Sequence, residues 1–181
     1  MLKKQIIPLV IATGLALSAT QASALIYGDI NGGYGVPVTT GSTNGSTSQN
    51  DGSFGYEANV GIYFLPIAAV EVGYNGFNEL KYNNTAGNSS TSLNGWHTAL
   101  KLQVPLPFDI FVMAKGGLGS LTRNGIQGSG SQTNYNAYWA LGGGWNLNNY
   151  IYFQGAYTQM QGANSIPTMG LFSAGVGINI L

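Results

Sequence analysis

Apolar and polar residues alternate along much of the chain with a period of two, the pattern of a β-strand whose two faces meet different surroundings. The clearest segment spans residues 54–64, and the next two along the chain span 69–75 and 95–104. In all three, the charged residues lie on the less apolar face. The more apolar faces carry Phe54, Tyr56, Ala58, Val60, Ile62 and Phe64; Val70, Val72 and Tyr74; and Trp96, Thr98, Leu100, Leu102 and Val104.

Five further segments alternate less regularly, which brings the number of candidate strands to eight. Segments of roughly 10 to 13 residues are longer than the strands of soluble sandwiches, and they match the length that crosses a bilayer at a tilt. The pattern therefore predicts an all-β fold, an eight-stranded antiparallel up-and-down transmembrane β-barrel. The apolar positions of these five segments are Ile26, Ile30 and Tyr34; Val112, Ala114 and Leu118; Trp139, Leu141 and Trp145; Ile151, Phe153 and Tyr157; and Ala174, Val176, Ile178 and Ile180.

The connections between these segments alternate in length. The short ones are assigned to residues 65–66, 105–108 and 147–149, and the long ones are rich in Gly, Ser, Thr and Asn. We interpret the long stretches as loops rather than interdomain linkers, because each follows a single strand pair. Short periplasmic turns and long, mobile outer loops are typical of outer-membrane barrels. The predicted outer loops are residues 37–52, 78–92, 122–134 and 161–168.

Residues 1–24 have the three parts of a secretory signal peptide. Lys3 and Lys4 precede an apolar stretch from Ile6 to Ala19, and Ala22-Ser23-Ala24 is a small-residue cleavage site. The alternative, a transmembrane anchor, needs about 20 apolar residues, and this stretch is shorter and contains Pro8. We expect residues 1–24 to be removed and residues 25–181 to form the barrel domain.

Charge is scarce, at 7% of residues, whereas soluble domains contain about 25%. The six acidic and six basic residues form no patch, which argues against nucleic-acid binding. Cysteine is absent, so an exported form would contain no disulfide.

Eight aromatic residues lie near the ends of predicted strands, where interfacial girdles occur in membrane barrels. The alternative is the general preference of aromatic residues for strands. The eight are Tyr34, Tyr56, Phe64, Trp96, Trp145, Tyr150, Phe153 and Tyr157.

The lumen of an eight-stranded barrel is narrow enough to be filled by side chains, so its inward charges need partners. If the loop between the third and fourth strands is centred near Ala86, Glu71 faces Lys101. We predict a cross-strand ion pair between them, with Glu57, His97 and Lys115 in the same network. The network is interpreted as a neutralised polar core; a proton or ion path is the alternative.

No enzymatic site emerges from the sequence. His97 is the only histidine, and the neighbouring hydroxyl of Thr98 belongs to the opposite face of its strand. No cluster has metal-ligand spacing and no phosphate-binding loop is present. We therefore expect neither catalysis nor a cofactor nor a metal.

The signal, the eight segments and the loop alternation together resemble the small eight-stranded OmpA-like or opacity-type outer-membrane barrels. Similar stretches are residues 114–119 (AKGGLG), 141–145 (LGGGW) and 173–180 (SAGVGINI). The chain departs from the family pattern at Gly144, where a charged residue is common, and at Leu181, where Phe is usual. The resemblance implies the Gram-negative outer membrane, contact with its lipid, and insertion by the barrel-assembly machinery.

The leading hypothesis for function is a structural or surface-interaction, adhesin-like barrel. Its lumen is plugged, and its polar loops would contact a host or surface ligand. A second hypothesis is a narrow channel or a carrier of apolar ligands. A third is a secreted, soluble, lectin-like β protein, in which a second sheet would bury stripes such as Phe54 to Phe64.

Overall fold

The structure, a computed structural model, describes residues 26–39, 42–43, 46–48, 52–84, 87–123, 132–163 and 166–180. The predicted signal peptide, residues 1–24, lies outside this part of the chain. Among the described residues no helix is long and apolar enough to cross a membrane. The strands are β1 Ile26–Pro37, β2 Ser42–Thr43, β3 Ser46–Ser48, β4 Ser53–Leu65, β5 Ala68–Asn84, β6 Gly87–Pro105, β7 Ile110–Arg123, β8 Gln132–Asn146, β9 Ile151–Met160 and β10 Met169–Ile180.

Eight long strands form a closed antiparallel barrel. Each of β4 to β9 pairs with the next strand in sequence, and β1 pairs with β4 on one side. On its other side β1 pairs with β10, from Ile26 opposite Ile180 to Pro37 opposite Met169, which closes the wall. The two short strands β2 and β3 pair with each other, and β3 pairs with β5 near its outer end. The predicted eight-stranded barrel is confirmed.

The apolar stripes of all eight predicted segments lie on the outer face of the wall. Val60 is 61% exposed and Leu118 is 73% exposed, whereas the residues between the stripes are mostly buried in the lumen. Exposed apolar stripes lie on all eight long strands, and no second sheet formed by the described residues covers them. This arrangement excludes the soluble alternative, and it fits a wall that contacts lipid.

The connections agree with the predicted alternation, with one correction. The short turns are residues 66–67, 106–109 and 147–150. The predicted loop 78–92 is wrong, because β5 and β6 continue through it as a paired ladder as far as Asn84 and Gly87. The sequence of this ladder lacks an apolar stripe, so the alternation that marks the other strands does not reveal it. Of the predicted loop 122–134, the ends belong to β7 and β8, and residues 124–131 lie outside the described part.

The eight predicted girdle residues lie in two bands on the outer wall. Tyr34, Tyr56, Trp96 and Tyr157 lie towards the end with the long connections. Phe64, Trp145, Tyr150 and Phe153 lie towards the end with the short turns. Their position near both ends favours interfacial girdles over a general strand preference.

Glycines on the inner face provide the space for large lumenal side chains. A Cβ at Gly61 would lie 2.4 Å from the Tyr27 ring, and a Cβ at Gly177 would lie 2.0 Å from the Tyr152 ring. The same packing explains the departure from the family pattern at residue 144. A Cβ there would lie 2.2 Å from the carbonyl oxygen of Phe153 and 2.4 Å from the ring of Phe111, so a larger residue at this position would clash with the backbone of β9 as well as with Phe111.

Two adjacent glycines of β7 provide a matched test of this packing. A Cβ at inward-facing Gly117 would lie 2.0 Å from the carbonyl oxygen of Thr98, whereas a Cβ at outward-facing Gly116 would have no atom within 4 Å. We expect Gly117→Ala to lower the free energy of unfolding by about 1–3 kcal/mol, as overpacking does. Gly116→Ala should leave it unchanged or slightly higher. Urea unfolding of the refolded barrel measures both, and equal losses would contradict this account.

Candidate functional site

The middle of the lumen contains a belt of buried charged side chains, to which four strands contribute the five predicted residues. Glu57 lies on β4, Glu71 on β5, His97 and Lys101 on β6, and Lys115 on β7. Each of the five lies on the face of its strand opposite the lipid-facing stripe, so all five point inward. All are at most 5% exposed. We call these five, together with Asp29 of β1, the polar belt.

Glu71 is the centre of the hydrogen-bond network. Its Oε2 accepts a hydrogen bond of 2.6 Å from the Tyr27 hydroxyl, and its Oε1 accepts one of 2.8 Å from Lys115 Nζ. The Nε2 atom of His97 lies 3.4 Å from the same Oε1. A carboxylate with this many donors is well compensated for the loss of water.

Lys115 links the two glutamates. Its Nζ lies 3.6 Å from Glu57 Oε1, in addition to its contact with Glu71. Glu57 also accepts hydrogen bonds from Asn59 Nδ2 at 2.7 Å, Thr158 Oγ1 at 3.1 Å and Tyr138 Oη at 3.2 Å. Lys115 is therefore the cation that both carboxylates share at the centre of the lumen.

His97 contacts three side chains, those of Glu71, Asn75 and Tyr138. Its Nδ1 lies 2.9 Å from Asn75 Oδ1, and its ring is stacked on Tyr138 with the centroids 3.9 Å apart. The buried ring is 2% exposed, which leaves it no access to an external substrate.

The predicted ion pair between Glu71 and Lys101 is wrong. Across β5 and β6, Lys101 lies opposite Ala69, and Glu71 lies opposite Ala99. The actual register is two residues from the predicted one, which keeps every side chain on its face and changes its partner. Among the described residues, Lys101 Nζ has no hydrogen-bond partner, and it lies 4.1 Å from the centre of the Tyr27 ring. A cation–π contact takes the place of the expected carboxylate.

Asp29 is a member of the belt that the sequence analysis missed. Its Oδ1 accepts hydrogen bonds of 2.7 Å from the amides of Asn31 and Asn59, and its Oδ2 accepts one of 3.2 Å from the Tyr152 hydroxyl. The sequence does indicate that Asp29 faces inward, because it directly precedes the outward-facing Ile30. The glycines of this strand obscured its alternation.

Apolar clusters lie on both sides of the belt. The long-connection cluster includes Ile166 of the connection between β9 and β10, which is buried within it. Its other members are Phe77, Leu93, Ala99, Leu121, Tyr138, Ala140, Met160, Met169 and Leu171. The short-turn cluster consists of Tyr27, Ala69, Phe111, Met113 and Tyr152.

The connection that carries Ile166 is tied to two neighbouring strands. The backbone N–H of Val38 donates to the carbonyl of Thr168 at 2.8 Å, and the Thr168 N–H donates to Thr39 Oγ1 at 3.0 Å. Asn134 Nδ2 donates to the carbonyl of Ala163. These bonds tie the described residues of the connection to the segment that follows β1 and to β8.

One group of side chains could in principle bind a metal ion. Glu57, Glu71 and His97 each offer a ligand atom, and these atoms lie within 4.8 Å of one another. The fold brings them together from separate strands, which spacing along the sequence does not reveal. The ammonium of Lys115 contacts both carboxylates, so a metal ion would have to displace it. The arrangement therefore acts as an ion-pair network.

Comparison with known proteins settles the class of barrel. The profile of the family described as outer membrane protein beta-barrel domain matches residues 9–179. The chain belongs to this family. A search of curated proteins returned no match.

Several solved outer-membrane barrels share the fold. Neisserial surface protein A aligns with a TM-score of 0.62 at 14% identity, covering 86% of this chain and 97% of its own. OprG of Pseudomonas aeruginosa aligns with 0.61 at 14% identity and the same coverage. Ail, the attachment invasion locus protein of Yersinia pestis, aligns with 0.54 at 11% identity, covering 85% of this chain and 98% of its own.

The family places this outer-membrane barrel in the Gram-negative envelope. In such barrels the short turns face the periplasm and the long connections face outward. The short-turn cluster is thus the periplasmic one, and Ile166 lies at the outer mouth.

The two lumenal lysines, which lie opposite each other on β6 and β7, provide a test of the belt. Lys115→Met removes the cation that contacts two buried carboxylates. We therefore expect the free energy of unfolding to fall by about 3–5 kcal/mol. Lys101→Met breaks no hydrogen bond, so its loss should be clearly smaller. Urea unfolding measured by tryptophan fluorescence gives both values. An equal or larger loss for Lys101→Met would contradict the assignment of Lys115 as the central cation.

Proposed function

We propose that this protein is a non-conducting outer-membrane barrel with a structural and surface-interaction, adhesin-like role. The observation that carries the proposal is the filling of the lumen. Two apolar clusters and the polar belt between them fill the lumen, so a ligand cannot bind there. The outer connections are then the part of the protein that can contact a ligand.

The packing of the lumen supports the absence of conduction. Ions crossing the barrel would have to pass both apolar clusters, and Ile166, held by backbone hydrogen bonds of its connection, lies at the outer mouth. The belt charges have partners within the lumen: Lys115 contacts Glu71, and Lys101 lies against the Tyr27 ring. They serve the fold rather than transport.

The outer end supports an interaction role. The β5–β6 ladder extends beyond the wall to Asn84 and Gly87, and β3 widens it on one side. Loops and extensions held by a rigid scaffold are common binding elements. A paired ladder presents a more defined backbone surface than a loop would.

The chemistry of the outer segments favours a near-neutral ligand. Segments 38–52, 78–92, 124–131 and 161–168 contain Asp51, Glu79 and Lys81 as their only charged residues. The similar barrel Ail has been crystallised with a heparin analogue, sucrose octasulfate. A polyanion would meet little positive charge here. We therefore propose a protein or uncharged glycan surface as the ligand, recognised by hydroxyl and amide groups.

Conductance tests the plugged lumen. Purified barrel, shown to be folded by faster migration on gels when unboiled, should give no current steps in planar bilayers at any voltage, because both apolar clusters exclude hydrated ions. Reproducible steps would contradict the proposal and favour the narrow-channel alternative.

Trimming the β5–β6 ladder tests the interaction role. We expect direct joining of Asn78 to Ser92 through an Asn-Gly turn to lower adherence of barrel-expressing bacteria to epithelial cells by about tenfold, as for loss of a defined binding element. Replacing the periplasmic turn 147–150 in the same way is the matched control and should leave adherence unchanged. Undiminished adherence of the trimmed, folded barrel would contradict the assignment.

A further inference from the structure

The outer part of β6 has a paired strand on one side only. Residues 87–91 pair with β5, whereas the pairing of β6 with β7 ends where Leu93 lies opposite Arg123. In the part of the chain that the structure describes, no strand continues β7 alongside residues 87–91. These five residues therefore form a strand edge at the outer end of the barrel, which we call the β6 edge.

The other side of the same ladder shows what such an edge can bind. β4 pairs with β5 only as far as Gly55 opposite Phe77. Beyond that point β3 takes the place of β4, with Thr47 opposite Asn83. β3 is a three-residue strand from the connection between β1 and β4. A short extended segment thus adds to the ladder by backbone pairing, and the β6 edge is the equivalent position on the opposite side.

The backbone groups of alternate residues point towards the β6 edge. In an antiparallel strand, the N–H and C=O of one residue face one neighbour and those of the next residue face the other. The N–H of Gln103 donates to the turn that precedes β5, and the N–H of Trp96 donates to Ser120 of β7. The extra residue of the ladder's irregularity belongs to β5, so the alternation continues along β6. Asn88 and Ser90 therefore direct their N–H and C=O groups to the β6 edge.

The composition of the β6 edge lacks the features that protect exposed edges. Proteins usually block strand addition with lysine, proline or a bulge on the edge strand. Residues 87–91 are Gly, Asn, Ser, Ser and Thr, without charge or proline, and the register places no extra residue among them. A row of backbone donors and acceptors is matched by another extended polypeptide backbone, whereas a glycan has no such regular row.

We propose that the β6 edge binds an extended segment of a partner protein, which adds to the ladder as a further strand. The inference rests on the proposed surface-interaction role and identifies the ligand as a polypeptide rather than a glycan. In strand addition, main-chain hydrogen bonds supply the affinity and side-chain pockets supply the specificity. With small, uncharged residues along the edge, the barrel tolerates many partner sequences.

Hydrogen exchange of the barrel alone tests whether the edge is open. In an isotope-labelled barrel in phospholipid nanodiscs, the amides of Asn88 and Ser90 should exchange as in an unfolded peptide. Those of Ser89 and Thr91, which face β5, should exchange about tenfold or more slowly. Equal exchange of all four amides would overturn the proposal. If all were slow, another part of this chain, such as residues 124–131, would already cover the edge.

A proline at residue 90 tests binding through the backbone. Proline is tolerated on an edge strand where its nitrogen faces away from the sheet, so Ser90→Pro removes an N–H of the β6 edge and none that faces β5. We expect it to lower adherence of barrel-expressing bacteria to epithelial cells by about tenfold, as trimming of the ladder does. Ser90→Ala keeps the N–H and should leave adherence unchanged. Faster migration when unboiled and a slowly exchanging Thr91 amide show that the barrel and the ladder are intact.

The pattern of losses separates this inference from the proposed function. If trimming the ladder lowers adherence and Ser90→Pro does not, the surface-interaction role stands and strand addition is overturned. An equal loss for Ser90→Ala would assign recognition to the hydroxyl and likewise overturn strand addition. Protease treatment of the epithelial cells should abolish adherence, and undiminished adherence would exclude a polypeptide ligand. If trimming has no effect, the proposed function and this inference both fail.

Discussion

Satisfaction of backbone hydrogen bonds in lipid is the constraint on which the rest of this structure depends. A sheet edge within the hydrocarbon layer would leave N–H and C=O groups without partners, at a cost of several kcal/mol each. The pairing of β1 with β10 removes that edge. Closure then assigns every strand an apolar face towards lipid and a second face towards a narrow lumen, and the period-two sequence follows from it.

A second constraint acts on the lumen. Its narrow space has to be filled by side chains, and their polar groups need hydrogen-bond partners. Large side chains pack against the inward-facing glycines, as the Tyr27 ring does at Gly61. The Tyr27 hydroxyl in turn donates a hydrogen bond to Glu71. Tyr138 belongs to the outer apolar cluster and donates to Glu57. Tyrosines thus join the apolar clusters to the polar belt, because each has an apolar ring and a polar end.

Much of this architecture is predictable because the side-chain period of a strand is two. Phase alone assigned Glu57, Glu71, His97, Lys101 and Lys115 to one lumen. Partners depend on register, and the β5–β6 register departs from the predicted one by one residue at the tip, where Asn84 pairs with Gly87, and by a second at the irregularity between Phe77 and Leu80. The predicted partner of Glu71 was therefore wrong. The ladder itself was not predicted, because residues 78–92 carry no apolar stripe.

The antiparallel meander also determines the order in which the wall can be completed. Seven of its neighbouring pairs are joined by the connection between them, so they form between nearby parts of the chain. The pairing of Ile26 with Ile180 joins the two ends of the described chain, and such distant contacts form slowly because the intervening chain must first be ordered. Before β10 pairs with β1, both strands present open edges, and this pairing closes the wall.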